Sequence, residues 1–225
     1  MITDPLGQVL SEMRDIFVAD PNKAVKGQAF IRKLHGYLAG ELTARLTPEA
    51  TKAGVRVVEE AKIFGSHKPK NVDVSVIHPT NGPLMMIGVR SQMSSAGNNA
   101  LEYYQGVIGE CIGLQERFPM ATIGYVYLMP LKPIREGKED EEISHARYAK
   151  MYNAISGRSG HDYKSLRGIY DQFAYMVVDF SKSPPSIDDG LVKAAVPNTD
   201  LSVRTFVNRM IQTYMDRNLF LDYFA

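Results

Sequence analysis

The chain of 225 residues has no tryptophan and a single cysteine, Cys111. One cysteine cannot close a disulfide within the chain, so the fold does not depend on an oxidising compartment, and cytoplasm is the expected location. No run approaches the roughly 18 consecutive apolar residues that span a bilayer. The opening residues Met1, Ile2, Thr3, Asp4 and Pro5 lack a basic segment leading into an apolar one, so neither export nor membrane insertion is expected. Net charge is also nearly missing, with 26 Lys and Arg against 25 Asp and Glu. That balance excludes a nucleic-acid partner held by bulk basicity. It is uneven along the chain, however: acids gather at 136–142 and bases at 52–70 and 147–167. A DNA-facing surface would include the basic segments and avoid the acidic one. The histidines His35, His67, His78, His145 and His161 show no zinc-type spacing, and no Gly-rich phosphate loop is present.

What is there is the material of a folded domain: 44% apolar residues spread along the chain and 23% charged. The length fits a single domain over residues 1–225. Residues 1–54 read as helical, with Leu6, Val9, Leu10, Met13, Ile16 and Phe17 at three-and-four spacing, a break at Asp20 and Pro21, and a second stripe of Phe30, Leu34, Tyr37, Leu38 and Leu42. Thr47 opens a short helix with Pro48 at its first position. Residues 55–130 form the core: strands at 55–64, 72–77 and 84–90 meander, an amphipathic helix runs from Asn98 to Phe118, and 121–129 is a buried strand. Residues 131–225 combine helices and strand: a solvated acidic loop, helices at 143–155 and 163–173, a strand at 175–180, a loop at 183–190, and a terminal helix at 201–217 capped by Asp200. The expected class is α/β, a central mixed β-sheet flanked by helices.

The hairpin at 72–90 concentrates the chemistry. Alternation pairs Val74 with Ile87 and Ser75 with Met86, and extends to Asp73 opposite Gly88. Valines 72, 74 and 76 then meet Met85, Ile87 and Val89, and the other face carries Asp73, Ser75, Gly88 and Arg90, with Gln92 in the same phase. An unpaired acid there is costly, so either Arg90 is its structural partner or a ligand is.

The run Val72-Asp73-Val74-Ser75-Val76, a turn, and Ile87-Gly88-Val89-Arg90-Ser91-Gln92-Met93-Ser94-Ser95 resembles the catalytic hairpin of the PD-(D/E)xK, or restriction-endonuclease-like, nuclease superfamily. The helix and buried strand that follow are similar to those of type II restriction enzymes. The resemblance implies that Asp73 is the first metal-binding acid, that Gly88 stands where the second acid belongs, and that Arg90 replaces the lysine. Gly88 cannot bind a metal, and Arg90 is a fixed cation and a poor base. The second acid is then sought elsewhere. Glu102 on the following helix is favoured, so that Asp73 and Glu102 would hold Mg2+; Glu60 on the preceding strand is the alternative, and Glu110, two turns beyond Glu102, is set aside as too distant.

The implied activity is that of an Mg2+-dependent type II restriction endonuclease cutting double-stranded DNA at a specific sequence within a restriction-modification system. Arg90 would stabilise charge on the phosphate and Gln92 orient the water. Ser91, Ser94, Ser95, Asn98, Asn99, Lys68 and Lys70 would contact the DNA backbone, and Arg158, His161, Lys164 and Arg167 would contribute to sequence recognition. A homodimer is expected, since two-fold symmetry lets one short chain address both strands. The alternative is a catalytically degenerate DNA-binding or defence-complex protein on the same fold. Cys111, on an apolar helix face, is expected in the core, and among the tyrosines only Tyr103 and Tyr104 are candidates for base contacts.

Overall fold

A computed structural model of the protein describes residues 4–21, 24, 27–93, 96–132, 143–158 and 169–225, with the backbone alone at 96–99. Helices α1 (Pro5–Ala19) and α2 (Ala29–Thr43) turn one stripe each inward, Leu6, Leu10, Met13 and Phe17 from the first and Phe30, Leu34, Leu38 and Leu42 from the second. Short helix α3 (Pro48–Lys52) begins at Thr47, whose Oγ1 accepts the Ala50 N–H at 3.2 Å.

Strands β1 (Arg56–Phe64), β2 (Pro69–His78) and β3 (Gly82–Ser91) form the expected antiparallel meander. Gly82, at φ +78°, closes the second turn in a conformation that favours glycine. Helix α4 (Ala96–Arg117) runs back over the sheet to β4 (Thr122–Pro130), which lies parallel to β3. Helix α5 (His145–Asn153) precedes β5 (Gln172–Asp179), parallel to β4, and the short β6 (Ser186–Ile187) pairs antiparallel with β5. The order across the six-stranded sheet is therefore β1 to β6 in sequence. Every residue of β4 is buried, as a parallel strand covered on both faces requires.

Helices α6 (Asp189–Ala195) and α7 (Val203–Arg217) complete the described elements. One apolar cluster joins α1, α2 and α7 to one face of the sheet through Leu10, Phe30, Leu38, Phe206 and Met210. A second joins α4, α5 and α6 to the other face through Val107, Cys111, Leu114, Tyr152 and Val192. Among the described residues, no helix is long and apolar enough to cross a membrane.

Three local expectations are corrected. The helix expected at 163–173 does not extend to its end: 163–168 lie outside the described residues, and Gln172 and Phe173 are drawn into β5 by their ladder with Gly124 and Tyr125. The stretch 183–190, read as loop, holds β6 and the start of α6, which Asp188 caps through Leu191 N–H at 2.9 Å. The terminal helix is capped by Ser202, not Asp200; the Asp200 carboxylate instead accepts from the Ser202 N–H and the Thr205 hydroxyl.

Candidate functional site

Val74, Ser75 and Val76 pair with Ile87, Met86 and Met85, the register that alternation predicts. The ladder stops there, and Asp73 and Gly88 are not a pair. Where β2 parts from β3, Asp73 Oδ2 accepts the Val89 N–H at 2.6 Å, replacing the backbone carbonyl that a continued ladder would offer. The strand also changes phase: Val72 belongs to the cluster under α4 and Val74 to the cluster under α2, although residues two apart in a regular strand share a face.

β1 breaks phase at the same level. The pairs Glu59 with Val74 and Ala61 with Val72 flank Glu60, which stands across from Asp73. Glu60 has φ +52°, a left-handed conformation that costs a residue with a Cβ about 1–3 kcal/mol. Two facing carboxylates add repulsion. Val58 and Ala61 consequently face one cluster, while the Glu60 side chain meets α2. Strain and like charge at one point mark it as something other than ordinary sheet.

From α2, His35 brings Nδ1 to 3.0 Å from Glu60 Oε1. The ligand atoms of His35, Glu60 and Asp73 lie within 4.8 Å of one another, the one such group of three among the described residues. The His35 side chain is 3% exposed and that of Glu60 30%, so the group is nearly enclosed with one wetter member. The His35 Nε2 makes no hydrogen bond to any of the described residues. An imidazole and two carboxylates can together hold a divalent cation. The acid that joins Asp73 is thus Glu60; Glu102, the favoured candidate, is exposed on α4 and is not part of the group.

On the α4 side, Arg90 NH1 donates to Asp73 Oδ2 at 3.3 Å and to the Val89 carbonyl at 3.2 Å, and its NH2 stands 3.6 Å from Glu110 Oε2. Glu110 also accepts from the Tyr125 hydroxyl at 2.8 Å and pairs with Lys70. Glu110, set aside as a second acid, is not part of the group with Asp73, although α4 runs back over the sheet and brings it to Arg90 and Lys70. Gly88, where the resemblance implies an acid, is closed to one. A Cβ there would stand 2.5 Å from Tyr125 Cε1.

Burial pushes the Asp73 carboxyl above its ordinary value; the Val89 N–H, Arg90 and His35 pull the other way, and Glu60 adds to the rise. Burial disfavours the Arg90 cation, but Tyr125, Asp73 and Glu110 outweigh it and raise its pKa. Burial also drives the Tyr125 hydroxyl well up, so it stays a donor to Glu110.

The expected common polar face is corrected. Ser75 is fully buried, its Oγ without a partner among the described residues, and Gln92 is 5% exposed, its Oε1 3.5 Å from the Tyr127 hydroxyl. Met86 and Tyr127 beside them belong to the apolar cluster under α4 and α5, which covers this face. Gln92 consequently has no open position from which to orient a water. Ser91 is half-buried and Lys68 exposed at the β1–β2 turn; Lys70 is held by Glu110. Ser94 and Ser95, and the side chains of Asn98 and Asn99, lie outside the described residues, as do the acidic loop at 133–142, His161, Lys164 and Arg167. Arg158 is no surface reader: it is buried on Asp171 (Nε to Oδ1, 3.2 Å), which Arg217 also binds at 2.6 Å. Tyr104 packs on Tyr152, leaving Tyr103 as the more exposed of that pair. Cys111 is buried, and burial pushes its thiol far up.

Sequence reasoning missed His35. Its signal was a place in the inward stripe Leu34, Leu38 and Leu42 of α2, where a polar residue needs a partner. Comparison with protein-family models, curated proteins and solved structures finds no match.

Proposed function

We propose that this protein is a divalent-cation-dependent endonuclease of restriction-endonuclease-like fold, acting on double-stranded DNA as a homodimer. The observation that carries this is the convergence of His35, Glu60 and Asp73 where β2 leaves β3, with Arg90 on the same Asp73. Two parallel crossovers beside an antiparallel hairpin agree with the fold the resemblance implies.

In this reading Asp73 and Glu60 hold the cation, for which the resemblance implies Mg2+. When bound, such an ion lowers the pKa of a water and neutralises charge on the scissile phosphate. Arg90 supplies planar donors suited to a phosphate oxygen, and its anchors on Asp73 and Glu110 set where they point. The exposed Lys52, Arg56, Lys62 and Lys68 border the hairpin and would follow the DNA backbone.

Purified protein with unmethylated phage or plasmid DNA should yield discrete fragments with Mg2+ or Mn2+, and Asp73→Ala should abolish them. Absence of cleavage with every divalent cation would remove the enzyme from the proposal. The second reading, a DNA-binding protein that has lost catalysis, is favoured by Tyr125 filling the space over Gly88 and by the closed pairing of Arg90, Glu110 and Lys70. DNA binding indifferent both to divalent cations and to Asp73→Asn would select it.

A further inference from the structure

We infer that His35 is itself a cation ligand, so that the site on the α2 side of Asp73 selects a first-row transition dication of the manganese-to-zinc series over Mg2+. This rests on the proposed role of Asp73 and Glu60 but concerns a residue that the nuclease resemblance does not supply, and it disagrees with the ion that the resemblance implies.

Mg2+ takes oxygen ligands in near-ideal octahedral geometry and keeps several waters, which calls for a roomy, wet, all-oxygen site. The group here is different. His35 is 2% exposed and Asp73 8%, leaving Glu60 as the member closest to solvent. One of its three donors is an imidazole nitrogen, a ligand that suits transition dications and does little for Mg2+.

The spacing fits coordination. Two neighbouring ligands about 2.1 Å from an octahedral ion stand about 3.0 Å apart, and Nδ1 of His35 lies 3.0 Å from Glu60 Oε1. That distance also serves a hydrogen bond, and the tautomer decides between the two. In the ion-free chain the Glu60 carboxylate holds the proton on Nδ1, and Nε2 is buried with no partner among the described residues, so a cation would have to displace that proton. With the proton moved to Nε2, Nδ1 presents a lone pair to the space it shares with Glu60 and Asp73. The left-handed Glu60 adds a second, independent pointer: a strained backbone turns this carboxylate toward α2, where its hydrogen-bonding partner is His35.

The missing acceptor on Nε2 also bears on strength. Ligating histidines usually donate their other N–H to a carboxylate or carbonyl, and loss of that support weakens a site by about 10–100-fold. Occupancy should therefore depend on the free concentration of the ion, and dialysis against a chelator should strip it.

Mn2+ is the probe, because its electron spin reports its ligands without any need for turnover. Titration of the chelator-stripped full chain, followed by the loss of the free-ion resonance, should show one Mn2+ bound per chain, and roughly tenfold excess Mg2+ should not displace it. Pulsed spin-echo spectra of the bound ion should carry modulation from a directly bonded nitrogen. His35→Gln should remove that modulation and weaken binding by at least about tenfold. The spectrum of the unaltered chain keeps the test valid if that variant folds poorly. Absence of Mn2+ binding, absence of nitrogen coupling, or displacement by an equal concentration of Mg2+ would overturn the inference. DNA cleavage by the unaltered chain with Mg2+ as readily as with Mn2+ would sink it while leaving the nuclease reading intact. Nitrogen-coupled Mn2+ on a protein that cuts no DNA would do the reverse.

Discussion

The two sides of Asp73 are built on opposite plans. Toward α2 stand His35 and Glu60, a pair with strain in its backbone and a buried ring nitrogen without a partner among the described residues. Toward α4 stand Arg90, Glu110, Lys70 and Tyr125, where each charge meets an opposite one and the phenol donates inward. The second arrangement is what a stable interior does with ionisable groups. The first is what a fold tolerates when surrounding structure over-determines it. A single aspartate joins them, so the satisfied side can hold the unsatisfied one in place.

The contrast is sharpest under substitution, and the largest effect belongs to the satisfied side. Glu110→Ala leaves Arg90, Lys70 and the Tyr125 hydroxyl short of a partner and should cost about 3 kcal/mol in a urea unfolding series. Asp73→Ala strips the acceptor from the Val89 N–H and one partner from Arg90, for about 2 kcal/mol by the same measurement. Glu60→Gly and Glu60→Ala both take the carboxylate from His35 and should weaken Mn2+ binding, but the glycine also relieves a left-handed conformation and should be the more stable of the two by about 1 kcal/mol. A glycine variant no more stable than the alanine one would mean that φ +52° carries no strain.

The smallest effect is one of pH. Burial raises the Asp73 pKa in the folded state above that of the unfolded chain. Protonation therefore favours folding: this contribution is fully present below the unfolded value of about 3.9 and is lost as pH rises through the folded one. Asp73→Asn removes that loss, so its stability relative to the parent should improve from pH 4 upward. Urea midpoints collected across that range check the sign, and a parent that gains on the variant as pH rises would reverse it.

Much of this arrangement was legible in the chain. Alternation gave the pairing of Val74 with Ile87 and Ser75 with Met86, because one apolar face on each strand leaves only one workable register. Asp73 and Arg90 stood out as charges in an apolar frame, and they do meet. Periodicity could not show the phase breaks at Glu60 and Asp73, since both are departures from the regular repeat that pattern reading assumes. His35 was hidden for a different reason. It lies 25 residues from Glu60 and reaches it by the packing of α2 on the sheet, and spacing along the chain carries no trace of that. Glu110 is outside the group with Asp73, and counting turns along α4 gave no sign that it returns to meet Arg90 and Lys70.

Tyr125 lies over Gly88 with its ring too near for any side chain at 88, and it also packs at 5.5 Å on Tyr170 and holds Glu110. The consequence is a constraint on redesign. An acid can enter position 88 only if Tyr125 gives way, and a smaller residue at 125 opens a hole in an aromatic cluster and frees a carboxylate before the newcomer offers anything in return. Neither change is favourable without the other, so a carboxylate at 88 calls for a paired substitution.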